Sequence, residues 1–185
     1  MRRLPRGALR PGERTLADHS TGRAVRRNAG RNATIGRMAT IDKDRLLAFL
    51  RRERYAVQAS VNDDGGPQAA LVGVVVSDQF EVFFDTLGSS RKAGNLRRRP
   101  RAAMVLGPAG ADAAQTVQLE GPADEPSGAD LARLLDLYFE RFPDGRDRQR
   151  SSDVAYWRVR PAWIRFSDFT SDPPDVVEFT PGDPG

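Results

Sequence analysis

Apolar residues recur along this chain with two different periods. Leu46, Leu47, Phe49 and Leu50 gather on one helical stripe, Asp42 and Asp44 suit the positive end of a helix and Thr40 offers a cap, so a helix ending near Arg52 is predicted. Beyond it the period drops to two. Tyr55, Val57, Ala59 and Val61 alternate with more polar neighbours, Asp63-Asp64-Gly65-Gly66 turns the chain, and Ala69 to Val76 is nearly continuous in apolar residues, which predicts two antiparallel strands. Ser77-Asp78-Gln79 makes a second turn. Phe80 to Asp85, Arg101 to Leu106 and Thr116 to Glu120 read as three more strands, with a Pro/Gly/Ala-rich loop at 107–114. Ser127 and Asp130 have capping-box spacing ahead of Leu131, Leu134, Leu135, Tyr138 and Phe142, a helix with one buried face that Pro143-Asp144-Gly145 ends. Tyr156 to Phe166 predicts a last strand kinked at Pro161, and the tail after it, rich in Pro, Asp and Gly, reads as loose. Some six strands with short turns suit a small barrel, because closure removes exposed edges. Periodicity alone allows an open sheet equally well.

Charge divides the chain in two. Residues 1–37 hold ten basic and two acidic side chains out of 29 and 25 in the whole chain, so the basic excess comes from an N-terminal arm and the remainder is mildly acidic. The arm has no apolar run and no aromatic residue, and is expected to be disordered. The expected division is therefore an arm at 1–37, one domain at 38–179 and a loose tail at 180–185, with Met38 as an alternative start. No apolar stretch is long enough for a signal peptide or a membrane span, which gives a cytoplasmic expectation and no membrane partner. With no cysteine, disulfides, thiolate metal sites and cysteine nucleophiles are excluded. The one histidine, His19, lies in the arm, which removes triad chemistry and imidazole-ligated haem from the body. Acidic residues are scattered without metal-ligand spacing, so no metal site is expected.

The most informative stretch is Phe83 to Gly107, FFDTLGSSRKAGNLRRRPRAAMVLG. Thr86 ends a strand, Ser89 and Ser90 are good helix caps, and Arg91 and Lys92 then fall in the first turn of a short helix stopped by Pro100. Free backbone N–H groups, the helix dipole, two cations and up to three hydroxyls together make a cradle for a phosphate monoester.

Thr86, Ser90, Arg91, Lys92, Asn95, Leu96, Pro100 and Arg101 follow the order strand, T, short loop, S-R-K, short helix, N…P-R, strand. In this the chain resembles the FMN-binding split barrel of the pyridoxamine 5'-phosphate oxidase superfamily, over roughly residues 40 to 170. The resemblance implies a mainly β fold with peripheral helices: a six-stranded antiparallel split barrel that pairs as a homodimer, with flavin in the groove between subunits. It implies FMN, or alternatively a deazaflavin, as cofactor, held by Thr86, Ser89, Ser90, Arg91 and Lys92. Thr116, aligned with a glutamine of the family, and Gln118 on the same strand face are further cofactor candidates.

There are departures. The family's oxidases carry an arginine and a lysine in the preceding strand, where this chain has Ala70 and Val75, and a tyrosine before the threonine, where it has Asp85. Their C-terminal substrate-binding segment has no counterpart here, so oxidation of vitamin B6 is not the expected activity. Arg97, Arg98 and Arg99 read as a solvated or subunit-contacting face, and Trp157, Trp163 and Phe166 as core rather than a cover for a ring. The leading expectation is a flavin-dependent oxidoreductase acting on an unidentified small molecule, with no catalytic residue assigned. Its rivals are a non-catalytic flavin- or deazaflavin-binding protein of the stress-response kind, and nucleic-acid binding through the arm and Arg91 to Arg101, which the acidic body disfavours.

Overall fold

The computed structural model describes residues 41–107, 114–151 and 153–181. The basic arm, the Met38 boundary, the Thr40 cap and the tail after Pro181 lie outside these residues. The chain divides into units 1–36 and 37–185, and every described residue belongs to the second.

Helix α1, Lys43–Arg52, is capped by Asp42, whose carboxylate accepts from the Arg45 N–H at 2.8 Å. Its stripe of Leu46, Phe49 and Leu50 is buried and closes one end of a barrel. The barrel strands are β1 Tyr55–Val61, β2 Pro67–Val76, β3 Val82–Leu87, β4 Arg101–Leu106, β5 Gln115–Asp124 and β6 Val154–Val159. They pair antiparallel in the cyclic order β1-β2-β3-β6-β5-β4, and β4 returns to β1. Strand β3 starts two residues later than its pattern suggests. Phe80, at φ 62°, sits in the left-handed region of a turn closed by the Ser77 N–H donating to Glu81 O at 3.0 Å.

The single kinked last strand of the sequence reading is corrected to two. Strand β6 meets β5 only at Ala123 and Asp124, and after Arg160-Pro161-Ala162 a separate strand β7, Trp163–Asp168, takes the same edge of β5 along Gln115 to Glu120. The crossing is tight. Arg160 N donates to Pro122 O at 3.0 Å and Ala162 N to Glu120 O at 2.8 Å, and a Cβ on Gly121 between them would stand 2.0 Å from Arg160 O. Only glycine fits there. The tail expected to be loose holds an eighth strand, β8 Asp175–Phe179, antiparallel to β7.

Two further helices, α3 Gly128–Arg141 and α4 Gly145–Ser151, follow β5. The first covers one outer side of the barrel. Leu134, Tyr138, Phe139 and Phe142 pack on Val75, Phe83 and Tyr156, with the Phe83 and Tyr156 rings stacked at 5.6 Å. This explains the unbroken apolar run at the end of β2: Val74 and Val76 point into the barrel, Val75 out to α3. Among the described residues nothing covers the opposite side in the same way. Leu71, Val57 and Val105 stand side by side across β2, β1 and β4 and are 68, 44 and 45% exposed. The alternating apolar set of β1 therefore faces outward, while Ala56, Gln58 and Ser60 face in.

Candidate functional site

The end of β3 and the start of the helix α2, Arg91–Arg98, form one hydrogen-bonded corner. Ser90 caps the helix, its Oγ accepting from the Ala93 N–H at 3.3 Å. The same Oγ lies 3.2 Å from Thr86 Oγ1, and Lys92 folds back over the first turn so that Nζ donates to Thr86 Oγ1 at 3.1 Å. Two hydroxyls and an ammonium thus gather where the free N–H groups of a helix start already favour an anion. Asn95, buried on the next turn, pins the helix to the barrel by donating Nδ2 to Ser60 Oγ at 3.2 Å and to Gln68 Oε1 at 2.6 Å.

Arg91, exposed, reaches the other side of the Gln68 amide. With that amide turned over, its oxygen accepts from Arg91 Nε at 2.7 Å and from Nη2 as well, so Gln68 can serve the guanidinium or Asn95. A cleft of about 470 Å³ opens between Arg91 and Lys92 on the helix and Gln58, Ser60 and Ala70 on the strands. Gln58 is only 1% exposed, yet neither its Oε1 nor its Nε2 has a hydrogen-bond partner. A second depression of about 350 Å³ lies across Arg91, against Asp63, Ser89 and Arg98.

Of the residues the sequence singles out, Thr86, Ser90, Arg91 and Lys92 come together here. Ser89 is exposed and lines the second depression rather than the larger cleft. Thr116 and Gln118 stand apart on the outward face of β5, Gln118 in register between Val105 and Arg165. Within one chain they do not join the cleft. Ala70 is on the cleft wall, but Val75 lies under α3, so of the two departures in this strand only the first bears on this cleft.

The three further arginines are occupied locally. Arg97 Nε donates to Glu125 at 2.7 Å and Arg97 Nη1 to Gly88 O at 2.7 Å, Arg98 Nε to Asp63 Oδ1 at 2.5 Å, and Arg99 Nη2 to Asp63 O at 2.8 Å. Asp85 pairs with Arg148 at 3.1 Å. Trp157 and Phe166 are core, and Trp163 Nε1 donates to Glu178 at 3.1 Å. Sequence reasoning missed Gln58, Ser60 and Gln68. Their signal is a run of polar residues on the inward parity of two strands, which the apolar residues of the other parity masked.

Among the described residues no group of three or more His, Cys, Asp or Glu side chains could hold a metal ion, and no helix is long and apolar enough to cross a membrane.

Comparison with solved structures shows the same fold. A heme binding protein from Mycobacterium smegmatis superposes with a TM-score of 0.62 at 19% identity, over 72% of this chain and 56% of its own length. A conserved hypothetical protein from Mycobacterium tuberculosis gives 0.60 at 24% identity, over 70% of this chain and 86% of its own. A pyridoxamine 5'-phosphate oxidase-related, FMN binding protein from Nostoc punctiforme gives 0.53 at 12%, over 71% and 87%. This chain thus spans little more than half of the first of these, and no curated protein sequence matches it. The family model for pyridoxamine 5'-phosphate oxidase matches residues 42–168, from the cap of α1 to the end of β7, and the chain belongs to that family.

Proposed function

We propose that the chain binds FMN and works as a flavin-dependent oxidoreductase on a small molecule. The observation that carries this is the corner where Thr86 is bonded to both Ser90 and Lys92 beside Arg91 at the start of α2. Its donor set fits a phosphate monoester: a dianion accepts hydrogen bonds, and each of these groups can donate one. Bound FMN would supply hydride or electron transfer, while the residues named supply position and charge.

The same reading includes a homodimer. The outward row of Leu71, Val57 and Val105 is apolar and exposed, and a second copy is its natural cover. Thr116 and Gln118, on that outward side, can reach a flavin only across such an interface. Light scattering should give twice the chain mass; a monomer carrying a full complement of flavin would remove both residues from the site.

A haem reading rests on the Mycobacterium smegmatis relative, but the sole histidine of this chain is His19, outside the barrel sequence, so an imidazole ligand would have to come from the arm. The absorption spectrum of the purified protein separates flavin, deazaflavin and haem. Reduction of a bound flavin by NADH or NADPH then separates an enzyme from a carrier.

The phosphate contact has its own test. Arg91→Ala should weaken FMN binding by about ten- to a hundredfold, the equivalent of about 1.5–3 kcal/mol, and leave riboflavin nearly unchanged. Equal losses for the two flavins in a fluorescence-quenching titration would mean that Arg91 does not meet the phosphate.

A further inference from the structure

We propose that Gln58 reads the hydroxylated carbon chain next to the phosphate of the bound ester. The proposal rests on the cleft reading above and extends it to a residue outside the phosphate corner. Gln58 sits inward on β1, in register with Ala70 of β2 and Met104 of β4, and neither neighbour offers a group that could satisfy both ends of an amide. Along its own strand the same face carries Ala56 and Ser60, and the Ser60 hydroxyl already accepts from Asn95. The backbone groups around it belong to the strand ladders. The fold therefore buries a donor and an acceptor that have no partner, at a position lining the same cleft as Arg91 and Lys92.

The chemistry of the missing partner follows from the pair. A phosphate only accepts, so it would leave Oε1 unsatisfied; a hydroxyl both donates and accepts. Position agrees. Gln58 lies two residues along β1 from Ser60, which stands opposite Gln68 and so beside Arg91, a step of about 7 Å along a strand. That is the reach of two or three hydroxylated carbons from a phosphate held at Arg91. The amide atoms are closed off from water, so the side chain would meet a ligand by rotating its outer torsions.

The test is Gln58→Met, which keeps the length of the side chain and removes both orphan groups. In the chain freed of small molecules by dialysis, the variant should melt at a higher temperature than the wild type, because an unpaired amide leaves the interior. A lower melting temperature would show that the fold pairs the amide after all, and would overturn the proposal. In quenching titrations the variant should bind FMN and riboflavin about tenfold more weakly, by the same factor, since both carry the ribityl chain. A loss confined to FMN would make Gln58 a phosphate contact and also overturn it. A wild type that takes up neither flavin would sink the flavin reading alone. Ribose 5-phosphate in the melting assay then decides the Gln58 assignment: a stabilisation of the wild type that is absent in the variant supports it, and no shift in either rejects it.

Discussion

Two polar clusters flank the same barrel, and they solve burial in opposite ways. Around Glu81, where the turn into β3 meets β6 and α3, every charge is paired. Arg158, 6% exposed, donates from Nε and Nη2 to Asp124 at 3.1 and 2.7 Å and from Nη1 to Glu81 at 3.0 Å and Asp130 at 2.9 Å. Glu81 accepts in addition from Arg133 at 2.7 Å and Ser77 at 2.8 Å. Around Arg91 the groups are bonded in a loose corner beside a cleft, and Gln58 is bonded to nothing. A satisfied network holds elements in place, whereas an unsatisfied one costs stability. The two clusters should therefore respond with opposite signs when their polar groups are removed.

The largest expected effect is at Arg158. Arg158→Met strips the shared cation from Glu81, Asp124 and Asp130 and leaves buried carboxylate behind, which typically costs about 3–5 kcal/mol. The lower end applies, because Arg133 still reaches Glu81. Urea unfolding measures it, and Gln58→Met in the same assay should shift the other way. If Arg158→Met cost less than about 1 kcal/mol, the network would not be the structural counterpart proposed here.

Acid sharpens the contrast less abruptly. Burial alone would raise the Glu81 carboxyl, but hydrogen bonds from Arg133, Ser77 and Arg158 outweigh it and hold the carboxyl below its ordinary value of 4.5. Asp130 is likewise held below its ordinary 3.8, first by its hydrogen bond from Arg158. A carboxyl with a depressed folded value stabilises fully above its unfolded value and loses that contribution as pH falls through the folded one. Melting temperature should thus be level down to about pH 4.5 on this account and decline below it. Glu81→Gln should flatten that decline; a slope unchanged in the variant would assign acid sensitivity to other carboxyls.

These same regions show what a sequence discloses. The geometry of the corner at the start of α2 was legible because it is local: Thr86 to Lys92 are seven consecutive residues, and strand-end and helix-cap chemistry fix their arrangement without help from the rest of the fold. The barrel strands were legible from period two. What the pattern could not give was which parity faces in. On β1 the apolar parity of Tyr55, Val57 and Val61 faces outward, against the usual rule, so the inward Gln58 and Ser60 were passed over. The split of the last strand depends on Gly121 meeting the backbone of Arg160, a contact between residues far apart in sequence. Strand β8 was hidden because its alternation is short and follows a Pro/Asp-rich approach, and only pairing with β7 makes it a strand. The separation of Thr116 and Gln118 from the cleft is likewise a property of the sheet's two faces rather than of local spacing.

The smallest effect is expected at Arg98, and it decides whether the corner is a built site or diffuse positive charge. Arg98 belongs to the same basic run as Arg91 and lines the depression on the far side of it, yet its guanidinium already pairs with Asp63 at 2.5 Å, with both side chains more than half exposed. An exposed pair of this kind is worth about 0–1 kcal/mol, and its charge is screened within about 8–10 Å at ordinary salt. Because Arg98 is nearly two turns past the helix start and held by a carboxylate, it adds little field where the phosphate would lie. Arg98→Ala should change FMN binding by about twofold or less and leave the melting temperature nearly unmoved, against the ten- to hundredfold loss expected of Arg91→Ala. If the two arginine variants lost FMN equally, and both losses faded with added salt, net charge rather than geometry would bind the ligand. Weight would then pass to binding of nucleic acid by the basic residues.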